Sequence, residues 1–194
     1  MKIVALMALL LPALALAEQL PVRSHPTHQA FFDTLASYCG KAFAGTVTND
    51  TAPSDAFTGK QLIVHFRECT DTTLTMPFHV GENRSRTWIL SRTGSGLVLK
   101  HNHRHEDGSI DKVTYYGGIT TDAGFAQAQA FPADSYTRQM FAEQGLPQSL
   151  NNTWKLFVYP DTLSYQLVRE GRAFQVDFDL TKPVAAPPAP WGWE

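Results

Sequence analysis

Apolar and polar residues alternate with a period of two over much of this chain, which predicts a succession of short β-strands. Neighbouring residues of a strand face opposite sides, so a half-buried sheet reads as alternation. Segments 43–48, 61–69, 72–80 and 85–92 show it, and a fifth strand begins at Gly96. Segments 110–116, 125–131, 153–159, 163–169 and 173–180 continue the series. Turn residues separate them: Gly81-Glu82-Asn83, Thr93-Gly94-Ser95-Gly96, Glu106-Asp107-Gly108-Ser109 and Gly171. Pro77 interrupts the third strand and predicts an edge or a bulge there. The period becomes helical in two places. Ala30, Phe31, Leu35 and Tyr38 follow Thr27 as N-cap and stop at Cys39-Gly40. A shorter helix starts at Pro132-Ala133-Asp134-Ser135 and runs to about Gln144, with Met140 and Phe141 as its apolar contacts.

About ten short strands joined by tight turns predict a mainly β, antiparallel up-and-down meander. A sheet of that size closes or splits in two. The layout, with one N-terminal helix and one late helix, resembles the calycin-type barrels, and a closed barrel is the expected architecture. A two-sheet sandwich or half-open roll is the alternative. The expected organisation is a signal peptide over 1–17, a loose leader over 18–26, one barrel domain over 27–180 and a Pro/Ala-rich tail over 181–194. The tail ends in Trp191-Gly192-Trp193, expected to pack back on the barrel or to mediate a contact.

The first residues carry the export signal. Met1-Lys2 is followed by an apolar run and by Ala15-Leu16-Ala17, an A-x-A cleavage pattern. The run is shorter than the ~20 residues of a spanning helix, so no transmembrane segment is expected. Export to a periplasm or to the exterior favours pairing of the two cysteines, Cys39 and Cys69. A formal net charge of −2 argues against nucleic acid as a partner.

Candidate chemistry concentrates in the fifth strand. Leu97, Leu99, His101, His103 and His105 share one face by alternation, and Val98, Lys100, Asn102 and Arg104 share the other. Three of the seven histidines thus stand in a row. Imidazole suits zinc and other transition metals, which makes His101, His103 and His105 candidate metal ligands. His65, His79, Glu106 and Asp107 are possible further ligands, and Asp107 or Asp111 could orient a histidine. Arg86 and Arg104 stand in a cation-rich stretch and suit carboxylate or phosphate groups. Arg67 and His65 would join Arg86 if they too faced inward. Trp88, Tyr115, Tyr116, Phe131 and Trp154 are candidates for a cavity lining. The expected ligand-binding set is Arg86, Trp88, His101, His103, Arg104 and His105. It would take a small molecule or a transition metal such as zinc. A metal-dependent hydrolase using the same histidines, and a structural envelope protein without a ligand, are the competing readings. No nucleophile-elbow motif accompanies the serines.

The words Ser85-Arg86-Thr87-Trp88, His103-Arg104-His105-Glu106-Asp107-Gly108, Tyr116-Gly117-Gly118, Phe131-Pro132-Ala133-Asp134 and Pro190-Trp191-Gly192 resemble a family of small secreted bacterial proteins of uncharacterised activity. The resemblance spans about Phe31 to Gly192 and implies export and a single domain. It carries no activity with it.

Overall fold

The elements run α1 (Pro26–Ala36), β1 (Ala42–Asp50), β2 (Leu62–His65), β3 (Glu68–Cys69), β4 (Thr73–Val80), β5 (Asn83–Thr93), β6 (Gly96–His103), β7 (Tyr116–Ile119) and β8 (Ala128–Pro132). Then come α2 (Ser135–Glu143), a 3₁₀ turn (Pro147–Ser149), β9 (Thr153–Tyr159), β10 (Thr162–Arg169) and β11 (Arg172–Val184). The structure is a computed structural model that describes residues 24–53 and 55–194. The expected signal peptide and most of the expected leader lie outside the described residues.

All of these strands belong to one 11-stranded antiparallel sheet, in the order β7-β6-β5-β4-β2-β1-β11-β10-β9-β8, with β3 also paired to β4. β1 lies between β2 and β11, so the first and last strands are neighbours. The two ends of the path, β7 and β8, meet at a bridge between Gly118 and Ala133. The sheet is therefore nearly closed into the expected barrel. Alternation decides which side chains fill it. Leu74, Met76, Phe78 and Val80 of β4, Trp88 and Leu90 of β5, and Leu97 and Leu99 of β6 are all buried. Trp154, Leu156 and Val158 of β9 and Phe174, Val176 and Phe178 of β11 complete the same core. Each such side chain contributes about 1.5–3 kcal/mol when fully buried.

α1 closes one end of the barrel. Pro26 stands at its first position, where a missing N–H costs nothing. The N-cap is His25 rather than the expected Thr27: its side chain accepts from the Thr27 N–H, and the Thr27 hydroxyl turns instead to the Ala123 carbonyl. Phe31, Phe32 and Leu35 lie on one helical face and are buried against the core. The expected Cys39–Cys69 disulfide is present, with Cα atoms 6.2 Å apart. It ties the turn after α1 to β3 across a sequence separation of 30, a closure that contributes about 3–4 kcal/mol in the chain-entropy picture.

The sixth expected strand, 110–116, moves to Tyr116–Ile119. Asp107 and Ser109 close the turn after β6, and only Arg104 and Ile110 bridge across it. Tyr115 then adopts a φ of 52°, a left-handed conformation that breaks an extended run. The seventh strand shifts likewise from 125–131 to Ala128–Pro132, because Phe125 and Ala128 already bond each other across a tight turn. Pro77 is not on an edge: β4 pairs on both sides. Instead the ladder from β2 lapses beside it, at Phe66-Arg67, and resumes one register later as β3.

The β7–β8 seam requires glycine. A Cβ on Gly118 would stand 1.9 Å from the Pro132 carbonyl oxygen, and one on Gly117 1.9 Å from that of Leu99. α2 stitches the seam from outside. Asp134, its N-cap, accepts from the Thr137 N–H at 2.9 Å and pairs with Lys100 at 2.5 Å. The Thr137 hydroxyl accepts from the Gly117 N–H at 2.7 Å and donates to its carbonyl at 2.8 Å. Past Leu180, β11 runs on to Val184, and residues 185–194 then cross the outside of the barrel as a strap. The strap is held where Arg84 donates to the Ala189 carbonyl and the Trp191 N–H donates to the Arg84 carbonyl.

Candidate functional site

The inner face of β6 changes character along its length. Leu97 and Leu99 lie in the apolar core, and His101 and His103 follow toward the opposite end. Register brings like with like: His101 stands opposite Trp88 on β5 and Tyr116 on β7, and His103 opposite Arg86. Together they line a cavity of about 320 Å³, with Phe57, Tyr165, Trp154 and Asp111 among its other walls. That volume is at the small end of the ~300–1,000 Å³ typical of small-molecule sites.

The floor is aromatic. Trp88 stacks on Tyr165 with ring centroids 4.3 Å apart, and His101 stacks on Tyr116 at 4.7 Å. His101 is 2% exposed and uses both ring nitrogens. The Tyr116 carbonyl can only accept, so Nδ1–H donates to it at 3.2 Å, and Nε2 accepts the Tyr165 hydroxyl at 2.8 Å. Burial pulls the His101 pKa down to about 3, so it is a neutral positioning group at physiological pH. His103 hydrogen-bonds the Tyr116 hydroxyl through Nε2 at 2.9 Å. Burial first, and Arg86 second, pull its pKa down to about 4, against a smaller pull from Asp111. Burial raises the Tyr116 hydroxyl to about 12. The histidine–tyrosine wall is therefore uncharged at neutral pH.

Arg86 supplies the positive charge, with the Asp111 carboxyl elsewhere in the same wall. Its guanidinium donates to Asn83 Oδ1 at 3.0 Å and lies over the Phe57 ring at 5.8 Å. Among the described residues no carboxylate lies within ion-pair distance of it. Burial lowers its pKa, opposed by Tyr116 and Tyr165. The other arginine of the wall, Arg172, is neutralised by Asp50. Phe57 comes from the 51–60 loop and leans on Phe174, with ring centroids 4.7 Å apart, roofing the cavity.

Of the residues expected at the site, Arg86, Trp88, His101 and His103 meet at this cavity. His105 and Arg104 do not. β6 ends at His103, so His105 stands in the turn, exposed, 3.9 Å from Asp111. Arg104 is on the outer face, as strand alternation requires, and donates to the Gly108 carbonyl. His65 and Arg67 also lie outside: Leu62, Val64 and Phe66 are the buried positions of that segment. Glu106 and Asp107 belong to the turn, where Asp107 accepts from the Ser109 N–H and hydroxyl. No group of three or more His, Cys, Asp or Glu side chains among the described residues is placed to hold a metal. Phe131 is in the solid core and Tyr115 is on the surface, so neither lines the cavity. Sequence reasoning missed Tyr165, Asn152, Phe57 and the Arg172–Asp50 pair. Tyr165 was within reach, since Leu163, Tyr165 and Leu167 alternate on one face of β10.

Fold and site together define a small up-and-down β-barrel with an aromatic-lined internal cavity whose wall carries Arg86 and Asp111. No family model, curated protein or solved structure matches the chain. No helix among the described residues is long and apolar enough to cross a membrane.

Proposed function

We propose that the protein is an exported binding protein whose barrel takes a small organic anion with a flat apolar body. The observation that carries this reading is Arg86, a cation without a carboxylate partner at the wall of an aromatic cavity. A sheltered guanidinium gains most from a ligand carboxylate, which matches its fork in two parallel hydrogen bonds. The ligand's ring would lie against the edges of Trp88 and Tyr116, with neutral His103 and the Tyr116 hydroxyl as adaptable hydrogen-bond partners. Export is supported by the A-x-A pattern after the apolar run and by the disulfide. Kinship with the secreted bacterial family belongs to the same proposal. Its words fall on the Arg86–Trp88 wall, on both sides of the seam and on the strap.

The test is tryptophan fluorescence with a panel of small aromatic carboxylates and their neutral amides. The acids are expected to quench saturably and the amides to bind at least about tenfold more weakly, with the difference lost in Arg86→Gln. Equal binding of acid and amide, or no binding by either, overturns the reading. Export is checked by the mass of the mature protein after expression, expected to lack residues 1–17.

A further inference from the structure

A second polar cluster lies outside the barrel, under the strap. Alternation turns His79 of β4, Asn102 of β6 and, just past β6, Arg104 away from the cavity. Arg67 joins them from the break between β2 and β3. The strap reaches the two arginines with Trp193: Arg67 Nη2 donates to its carbonyl at 2.8 Å, and the Arg104 guanidinium lies over its ring at 5.8 Å. Gly192 sits on Arg104 so closely that a Cβ there would stand 3.0 Å from the guanidinium. Asn102 is 1% exposed and His79 3%.

Five polar atoms in this cluster are buried without a partner among the described residues: Arg67 Nη1, His79 Nε2, Asn102 Nδ2, Arg104 Nε and Trp193 Nε1. Four of them are obligate donors, and His79 Nε2 is a donor in one of its two tautomers. Each acceptor that the strap and the Gly108 turn offer here already takes one hydrogen bond. The Trp193, Ala189 and Gly108 carbonyls take Arg67, Arg84 and Arg104, and Glu194 takes the Gly192 N–H. Glu68 lies 3.6 Å from Arg67 Nε on the exposed side. Arg84 and Arg104 have no carboxylate within ion-pair distance among the described residues. Buried donors are costly to leave unmade, and donors grouped on one sheet face beside two guanidinium groups call for a group that only accepts.

We infer that this cluster is a binding site for a small oxyanion of the phosphate or sulfate class, sealed by the C-terminal strap. Several acceptor oxygens on one anion meet donors arriving from the sheet below and from the Trp193 indole above. The Arg104 charge, together with the Arg67 charge that Glu68 shares, balances the ligand, and Asn102 and His79 contribute neutral donors that fix its orientation. The site is separate from the barrel cavity, because residues that face opposite sides of one sheet build the two. Its occupancy locks the strap, since Trp193 contributes both a wall and a donor.

The test is a titration of the folded, disulfide-bonded protein with inorganic phosphate at constant ionic strength, read on the tryptophan indole N–H resonances. Trp193→Phe assigns the reporting signal. The Trp193 indole resonance is expected to shift saturably, and Arg67→Gln and Arg104→Gln each to weaken the titration about tenfold or more. Arg86→Gln is expected to leave it unchanged. Where Arg104→Gln loses the dispersed Trp88 and Trp154 signals, Arg104→Lys is read instead; it keeps the charge but not the fork, and is also expected to weaken binding. A Trp193 signal that does not move, or that moves equally in the wild type and in the arginine variants, overturns the inference. A shift confined to Trp88 and Trp154 also overturns it, by placing phosphate inside the barrel, and leaves the reading of the internal cavity standing.

Discussion

The inner and outer faces of the sheet around β4, β5 and β6 carry nearly the same chemistry and use it in opposite ways. Inside, Arg86, His101 and His103 stand among aromatic rings, and both nitrogens of His101 are hydrogen-bonded. Outside, Arg67 and Arg104 meet the strap, His79 is buried on the same face, and each keeps a buried nitrogen without a partner among the described residues. The inner set surrounds open volume, with its histidines satisfied and Arg86 facing the cavity without a carboxylate partner. The outer set is incomplete without something that accepts. The lesson is that residue type does not distinguish the two; the state of each hydrogen bond does. A satisfied histidine such as His101 holds a wall in place, whereas an unsatisfied arginine nitrogen calls for a partner.

Perturbing each face separately sharpens this contrast. The largest effect is expected from Trp88→Ala, which removes an inner-wall ring that is 1% exposed and stacked on Tyr165 and Phe78. Urea unfolding should show a loss of about 3–5 kcal/mol. Next is Arg86→Gln, which should weaken aromatic carboxylates by about 1.5–3 kcal/mol in a binding titration while the melting temperature holds or rises. A clear loss of stability instead would make Arg86 a structural cation and erase the contrast.

Acid should then weaken the two faces together. The unfolded chain protonates its histidines near 6.5, whereas burial lowers His101 to about 3 and His103 and His79 to about 4. The unfolded state therefore takes up these protons first. The stability these groups contribute is complete above pH 6.5 and is lost as the pH falls from 6.5 toward 4, and for His101 toward 3. Melting temperature followed from pH 7 to pH 4 should fall, and His103→Gln should flatten the decline from the inner side as His79→Gln does from the outer. The smallest effect belongs to His105→Ala. His105 is exposed and belongs to neither face, so stability should change by less than about 0.5 kcal/mol and carboxylate binding should stay unchanged.

Much of the barrel was legible because alternation is a local signal that burial enforces. His101 and His103 could be set on one face with Leu97 and Leu99, and that face is the inner one. The row could not be followed to His105, because the strand's end is set by the turn after it, with its hydrogen bonds to Asp107. Arg104 was placed on the correct face, but its partner, the strap, lies far along the chain. The displaced sixth and seventh strands share one cause. Their ends depend on the close approach at Gly117-Gly118, a tertiary contact that no local pattern carries. Tyr165 becomes a site residue only when barrel closure brings β10 across from β6, so its chemistry was hidden while its parity was visible.

The pairing of β1 with β11 has a consequence for how the chain reaches this state. Ala42 stands opposite Val184, and Asp50 opposite Phe174, so the hoop is fastened by contacts between its first and last strands. Closing such a loop spends chain entropy long before any contact repays it, which places the step late and makes it slow. Until β11 arrives, β1 and β10 are open sheet edges able to pair with another chain. Folding of this protein is therefore a race between the arrival of its own last strand and that of a neighbour's. Dilution should improve refolding yield, and deleting β11 should convert a folded barrel into an aggregating chain.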